Sequence, residues 1–153
     1  MDLVEQSLET WRINDRLNHY LLKALADEAL GTPLTKGKSV GGQFQHIHNV
    51  RLMWLKPAAP DLLEGLSKLE GDVPGALLGD ALTHSGQAIE KLLQRAFEND
   101  GKVKNFKPHA VAFLGYLIAH EADHRGQIEV ALRQAGTPLP DKVGYGLWEW
   151  GVR

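Results

Sequence analysis

Residues 120–127 read HEADHRGQ, and they lie inside the longer apolar segment AVAFLGYLIAHEADHRGQIEVALRQAG, residues 110–136. Apolar side chains recur in this segment every three or four residues, which is the spacing of one face of an α-helix. That face consists of Phe113, Leu117, His120, His124, Ile128 and Ala131. The pattern therefore predicts a long helix whose buried face carries two histidines.

The two histidines are one helical turn apart on this predicted buried face. With a rise of about 1.5 Å per residue, the Cα atoms of His120 and His124 lie about 6 Å apart, so both rings can reach a single ion. They can equally be packed core histidines, each with its own hydrogen-bond partner. A shared divalent ion satisfies both rings at once, because neutral imidazole is a natural metal ligand. The pattern leaves both interpretations open.

The other side of this helix is expected to face solvent, and it carries the charged residues Glu121, Arg125 and Glu129. Glu121 and Asp123 are next to the histidines in sequence, but both should point away from the face on which the histidines lie. The sequence therefore identifies no general base. Gln127 and Asn49 are candidates for orienting the histidine rings through hydrogen bonds.

Three further helices are predicted upstream from their apolar spacing and from the residues that bound them. The first covers Leu3–Leu30 and ends before Gly31. The second begins after Ser39, a good N-cap residue, and stops before Pro57. The third covers Gly75–Asn99.

The HEADHRGQ helix is predicted to open with Pro108 as its first residue and to close at Gly136. A long connection rich in proline, glycine and acidic residues, Pro57–Pro74, joins the second and third helices. No segment alternates as a strand does. We therefore expect an all-α, four-helix bundle with one long connection, in a single domain over residues 1–153. The short aromatic C-terminal tail, DKVGYGLWEWGVR, should pack on the bundle or against a second subunit.

The composition excludes or disfavours several classes of function. Hydrophobic residues make up 43% and charged residues 24% of the 153 residues, with a net charge of −2, so binding to a nucleic acid is not expected. The short basic cluster of Lys102, Lys104 and Lys107 is more typical of a solvated loop. The absence of cysteine excludes disulfides, cysteine-ligated zinc and a thiol nucleophile. With no signal-peptide pattern and no apolar run near 20 residues, we expect a cytoplasmic protein that does not span a membrane.

A metal site with two histidines on one helix needs a third ligand from another helix. The second helix offers His46 and His48, in the sequence QHIHN. These two residues are about 200° apart around a helix, so only one of them can join the site. Both faces are partly apolar, and the periodicity leaves the choice open. His19, His84 and His109 are weaker candidates.

Four motifs together resemble a known family. They are W-x-x-N at residues 11–14, HIHNVRLMWL at residues 46–55, HEADHRGQIEVALRQAG at residues 120–136 and LWEW at residues 147–150. In this order they resemble the DinB/YfiT-like family, whose damage-inducible members are unrelated to the polymerase of the same name. The resemblance covers nearly the whole chain.

This resemblance implies a four-helix bundle in which three histidines hold one divalent metal ion, typically zinc or nickel. Carried over by position, the ligands would be His46, His120 and His124, so the family pattern favours His46 over His48. Members of the family are often homodimers, which the aromatic tail would suit.

A site with three histidine ligands keeps a coordination position open, which is typical of catalytic metal sites. Relatives suggest transfer of a low-molecular-weight thiol to a small electrophile, or a thiol-dependent isomerisation, with the metal ion holding the sulfur as a thiolate. Because the chain has no cysteine, the thiol would belong to the substrate. Hydrolysis remains chemically open. The alternatives are a stress-response bundle that binds a metal or ligand without turnover, and a purely structural dimer.

Overall fold

The computed structural model describes residues 2–153, and all the regular structure in that range is helical. The α-helices are α1 (Leu3–Lys23), α2 (Asp27–Leu30), α3 (Val40–Ala58), α4 (Gly75–Glu98), α5 (Ala110–Gln134) and α6 (Asp141–Gly146). Two 3-10 helices occur at Pro60–Leu63 and Trp150–Val152. The predicted all-α class is confirmed. Within residues 2–153, no helix is long and apolar enough to cross a membrane.

The four long helices, α1, α3, α4 and α5, share one interior. Helices α1 and α3 each pack against both α4 and α5. The amino-terminal ends of α1, α3 and α5 are capped by side chains: Asp2 accepts a hydrogen bond from the backbone N–H of Glu5, Ser39 from that of Gly42, and His109 from that of Ala112. Such caps satisfy backbone donors that the helix itself leaves free, so the helix starts are well defined. The predicted role of Ser39 is confirmed.

The interior consists of two apolar regions with a polar layer between them. One apolar region is formed mainly by Leu8, Trp11, Leu55, Ile89, Leu93, Phe113 and Leu117. The other is formed mainly by Leu17, Leu21, Val40, Phe44, Leu78, Leu82 and Ile128. The buried polar side chains between them are Asn14, Asn18, Arg51, Ser85, Glu121 and Arg125. Along each long helix, one polar patch therefore interrupts the apolar stripe.

The first predicted helix, over Leu3–Leu30, is wrong in its extent. Helix α1 ends at Lys23, where the last turn tightens: the backbone N–H of Ala24 binds the carbonyl oxygen of Leu21. After this turn the chain restarts as α2, and the Asp27 carboxylate accepts a hydrogen bond from the backbone N–H of Gly75 at 3.1 Å. This hydrogen bond connects α2 to the beginning of α4.

Two helix boundaries that were predicted from proline also differ from those in the structure. Helix α3 continues through Pro57 to Ala58. Proline is tolerated here because it lies in the last turn, where its ring removes only one hydrogen bond, to Met53, and Met53 is exposed. Pro108 is not the first residue of α5, because His109 is the N-cap and the helix begins at Ala110.

The long connection between α3 and α4 is fastened to α3 at alternate residues. The Nε2 of His48 lies 2.9 Å from the carbonyl oxygen of Ser67, and the Asn49 amide both donates to and accepts from the backbone of Leu69 at 2.9 Å. Gln45 donates to the carbonyl oxygen of Gly71 at 2.6 Å. An extended chain turns the same side toward a neighbour at every second residue, so three side chains of α3 hold it.

The aromatic tail packs on the helices only in part. Leu147 is buried and Trp150 is half-buried, and both join the apolar region that contains Leu17 and Leu21. In contrast, Tyr145 and Trp148 expose 73% and 81% of their surface. The prediction that the tail packs on the bundle is therefore confirmed for Leu147 and Trp150, while the other two aromatic rings face outward.

Candidate metal centre

The structure brings His46 from α3 together with His120 and His124 from α5. One ring nitrogen of each residue lies within 4.8 Å of the others. The ring centroids are 4.6 Å apart for His46 and His124, 5.3 Å for His46 and His120, and 4.5 Å for His120 and His124. His124 is buried, while His46 and His120 are half-buried, so the cluster lies at the edge of the interior with one side open to solvent.

The nitrogen atoms of this cluster fit a divalent ion. The Nε2 atoms of His120 and His124 face each other at 3.1 Å. Two nitrogen ligands of a tetrahedral zinc ion, each about 2.0–2.1 Å from the metal, lie roughly 3.3 Å apart. The Nδ1 atom of His120 is buried without a hydrogen-bond partner in the part of the chain that the structure describes. The two Nε2 atoms thus have each other as neighbours, and their spacing suits a shared ion.

Gln43 fixes the orientation of His124. Its side-chain oxygen accepts a hydrogen bond from Nδ1 of His124 at 2.5 Å, and its side-chain nitrogen donates to the carbonyl oxygen of Lys38 at 3.4 Å. Because an amide oxygen can only accept, Nδ1 carries the proton and the lone pair of Nε2 faces the cluster. Gln43 was not among the predicted site residues, although it is a polar residue one turn before His46 on the same helix.

The surroundings of all three rings favour the neutral form of imidazole. Burial lowers the pKa of His46, His120 and His124, and it lowers that of His124 to about 4. Neighbouring positive charge adds to this effect: Lys38 lowers the pKa of both His46 and His124 further. Metal ions bind neutral imidazole, so these lowered pKa values favour the form of the cluster that binds an ion.

His48 does not join the cluster. It is buried, with Nδ1 3.1 Å from the carbonyl oxygen of Ala81 and Nε2 2.9 Å from that of Ser67. Both ring nitrogens are thus occupied by backbone groups of α4 and of the long connection. The periodicity of α3 left His46 and His48 as alternatives, and it is His46 that the structure places beside His120 and His124.

The remaining candidates also lie elsewhere. His84 and His109 are exposed, and Nε2 of His19 lies 3.6 Å from an oxygen of Asp15. The two amides proposed to orient the histidines have other partners: Gln127 donates to Asp123 at 2.6 Å, and Asn49 binds the backbone of the long connection. That prediction is wrong for both amides, because Gln43 takes the role.

The prediction that Glu121 and Arg125 face solvent is also wrong. Glu121 exposes 1% of its surface and Arg125 exposes 7%. Helix α5 packs against both α1 and α3, and each of those helices turns polar side chains toward it. Glu129, one turn further along, is half-buried, and Asp123 is exposed as expected.

We call the buried polar layer around Glu121 the Arg51–Glu121 network; it consists of Asn14, Asn18, Arg51, Glu121 and Arg125. Arg51 binds both oxygens of Glu121, at 2.7 and 3.0 Å. The amide nitrogens of Asn14 and Asn18 each donate to Glu121 at 2.7 Å, and their amide oxygens accept from Arg125 at 3.0 and 2.6 Å. The network therefore ties α1, α3 and α5 together next to the histidines.

The network also explains two of the sequence motifs. In the W-x-x-N motif, Asn14 binds Glu121, while the ring of Trp11 lies beneath the Arg51 guanidinium at 4.9 Å and its Nε1 donates to the carbonyl oxygen of Gly86. In HEADHRGQ, the residue after each histidine belongs to the network. The motif therefore combines two functions on adjacent faces of α5.

The fold and this cluster define an all-helical protein with a candidate divalent-metal centre. A profile of the DinB family matches residues 1–148, and the chain belongs to the DinB family. It is also similar to the uncharacterized protein YrdA of Bacillus subtilis (strain 168), with 24% identity over 155 residues that cover 96% of this chain and 92% of that protein. No solved structure gives a significant match. The family suggested by the sequence motifs is therefore confirmed.

Proposed function

We propose that the protein is a metal-dependent enzyme whose divalent ion, zinc or nickel, is bound by His46, His120 and His124. The observation that carries the proposal is the convergence of three neutral imidazole rings from two helices, with ligand nitrogens within 4.8 Å of one another. A structural zinc site has four protein ligands, whereas three leave a position for water or substrate. The cluster is half-open to solvent, which also supports a site that binds water or substrate.

When bound, the ion acts as a Lewis acid that can hold a small thiol as its thiolate. The reaction we propose is a thiol-dependent transfer or isomerisation on a small electrophile. Gln43 keeps the lone pair of His124 Nε2 directed at the cluster. His46 and His120 leave one side of the cluster accessible to a small molecule. The thiol comes from the substrate, because the chain contains no cysteine.

The second candidate is a stress-response protein that binds a metal ion or small ligand without turnover. The observation in its favour concerns the acidic residues next to the histidines. The carboxylate of Glu121 is fully used in the Arg51–Glu121 network, and Asp123 is exposed and accepts from Gln127. Neither is a well-placed general base.

The wider setting of the protein is also part of the proposal. We propose that α1, α3, α4 and α5 form a four-helix bundle in a single domain over residues 1–153. We further propose that the protein is a homodimer, which the exposed rings of Tyr145 and Trp148 support. A cytoplasmic location without nucleic-acid or membrane partners remains a prediction.

The first test is the metal content of untagged protein by mass spectrometry, because an affinity tag would add its own histidines. We expect about one equivalent of zinc or nickel per chain. Metal-loaded protein is then assayed with small thiols and electrophilic acceptors, and turnover that His120→Ala abolishes and His48→Ala retains supports the enzyme. Stoichiometric metal without turnover favours the second candidate. The absence of metal, with no thermal stabilisation by any divalent ion, would overturn the metal site.

A further inference from the structure

The ring of Tyr116 lies against the ring of His120, one helical turn away on α5. Their ring centroids are 6.0 Å apart and their planes differ by 20°, so the two rings are stacked. Phe113, one turn earlier, lies against Tyr116 in a similar way, with centroids 6.4 Å apart and planes 22° apart. Phe113, Tyr116 and His120 therefore form a column of nearly parallel rings along α5, and the column ends at a proposed metal ligand.

Rings from outside α5 hold Tyr116 in this column. Trp54 on α3 meets Tyr116 edge to face, with centroids 5.6 Å apart, and meets Phe113 in the same way at 5.4 Å. Phe106, which precedes α5, lies 5.5 Å from Tyr116 and 5.1 Å from Phe113. These distances are typical of favourable aromatic pairs. The ring of Tyr116 is thus confined by three neighbours and gives His120 a fixed surface.

His120 lacks the hydrogen bond that orients His124. A histidine that binds a metal usually donates its other ring N–H to an acceptor, which fixes the orientation of the ring. Gln43 is that acceptor for His124, whereas Nδ1 of His120 has no hydrogen-bond partner among the described residues. The contacts of His120 with His46 and His124 are tilted by 50° and 69°. Tyr116 therefore supplies the near-parallel contact to the flat face of His120.

We propose that Tyr116 is the positioning residue for His120, and that ring stacking keeps Nε2 of His120 directed at the ion in place of a hydrogen bond. This inference rests on the proposed metal site and assigns a residue that supports it. A bound divalent ion draws electron density from the imidazole, and the electron-rich face of a phenol ring attracts a positively charged group. The stack should therefore be stronger in metal-loaded than in metal-free protein.

The experiment measures cobalt affinity by competition with a chelator, together with the visible spectrum of the bound cobalt ion. Tyr116→Met should lower the affinity roughly three- to tenfold and change the spectrum, because His120 is then free to turn. Tyr116→Phe keeps the ring and should retain both the affinity and the spectrum. Phe106→Met is the matched control: it removes a half-buried ring that contacts Tyr116 but, among the described residues, makes no ring contact with His120.

The outcomes separate this inference from the proposed function. If Tyr116→Met binds cobalt with the affinity and spectrum of the unmodified protein, the role of Tyr116 is overturned and the metal site stands. Equal losses in Tyr116→Met and Phe106→Met would also overturn it, because the effect would then come from packing in general. A loss in Tyr116→Phe as large as in Tyr116→Met would assign the effect to the hydroxyl and overturn the stacking. If the unmodified protein binds no cobalt, both the metal site and the positioning role are overturned.

A second measurement does not depend on whether any variant folds. In zinc-loaded, unmodified protein, nuclear magnetic resonance should show an Overhauser contact between the ring protons of Tyr116 and His120. The nitrogen shifts of His120 should show zinc on Nε2, the atom that faces Nε2 of His124. Rings without such a contact, or zinc on Nδ1 of His120, would overturn the positioning role.

Discussion

Two polar clusters occupy adjacent faces of α5, and they differ in how well their atoms are paired. In the Arg51–Glu121 network, both oxygens of Glu121 and both terminal nitrogens of Arg125 have partners at 2.6–3.0 Å. In the histidine cluster, Nδ1 of His120 has no partner among the described residues, and two Nε2 atoms face each other. The first cluster is complete within the protein, and the second is not.

This difference separates a structural cluster from a binding site. Buried polar groups are nearly always hydrogen-bonded, because leaving them unpaired costs free energy. A network that satisfies all its members stabilises one arrangement of helices. Two Nε2 atoms that face each other, instead of a donor or acceptor of the protein, indicate a group that arrives from outside the chain. Substitutions in each cluster therefore test whether the two clusters have these separate roles.

The largest effect is expected from breaking the network. Arg51→Met leaves the Glu121 carboxylate buried without its main counter-charge, and this should cost about 3–5 kcal/mol in the free energy of unfolding. Urea denaturation measures the loss. The double variant Arg51→Met with Glu121→Leu should lose less than the sum of the two single changes, since it removes both members of the pair. Simple additivity would show that the two residues do not act together.

The next largest effect is expected from removing a histidine of the cluster. His46→Ala, His120→Ala and His124→Ala should each lower metal affinity by at least about 100-fold, a bound set by the 10–100-fold that residues supporting a ligand contribute. Far-ultraviolet circular dichroism should show unchanged helix content. His48→Ala is the matched control on α3 and should keep its metal. Metal retained by an α5 variant at full stoichiometry would contradict the site.

A smaller effect is expected at Gln43. Gln43→Leu removes the acceptor that fixes the proton on Nδ1 of His124, and metal affinity should fall by roughly 10–100-fold. Competition with a metal-binding dye measures the change. Asn49→Leu, which releases the long connection on the same helix, should leave metal affinity unchanged. Equal losses in the two variants would mean that α3 as a whole, and not Gln43, supports the site.

The last effect concerns pH in the metal-free protein. Burial lowers the pKa of His124 to about 4, whereas an unfolded chain gives histidine a pKa of about 6.5. Between these values the unfolded state binds a proton that the folded state does not, so the free energy of unfolding should fall as the pH drops from about 6.5 toward 4. His124→Leu should make this decline shallower when urea unfolding is followed with a chelator present. An identical pH dependence in the variant would contradict the assignment.

The sequence predicted the helix that carries the two histidines, because residues at intervals of three and four define a face without any knowledge of neighbours. The helical period alone left open whether His46 or His48 is the third ligand, and only the family pattern favoured His46. The break after Lys23 could not be seen, because ALADEAL contains only residues compatible with a helix. The restarted helix α2 contacts Gly75, which lies far along the chain.

The burial of Glu121 and Arg125 was unpredictable for a similar reason. A charged residue on a helix is expected in water unless partners from other elements can be identified. Here those partners are Asn14, Asn18 and Arg51, which come from two other helices. Gln43 was missed because its role depends on the distance to His124, which no spacing along α3 reveals. Local patterns predict helices and faces, whereas pairing between helices decides what a polar residue does.

The connection fastened to α3 bears on where this chain can be cut or extended. Its proline and glycine content suggests a free linker, the usual choice for a protease cut or an inserted peptide. Hydrogen bonds from Gln45, His48 and Asn49 hold its backbone at alternate positions instead. An insertion between residues 67 and 71 would shift these positions out of register and pull on the helix that carries His46. The longest connection of the chain is therefore a poor site for cleavage or for an insertion.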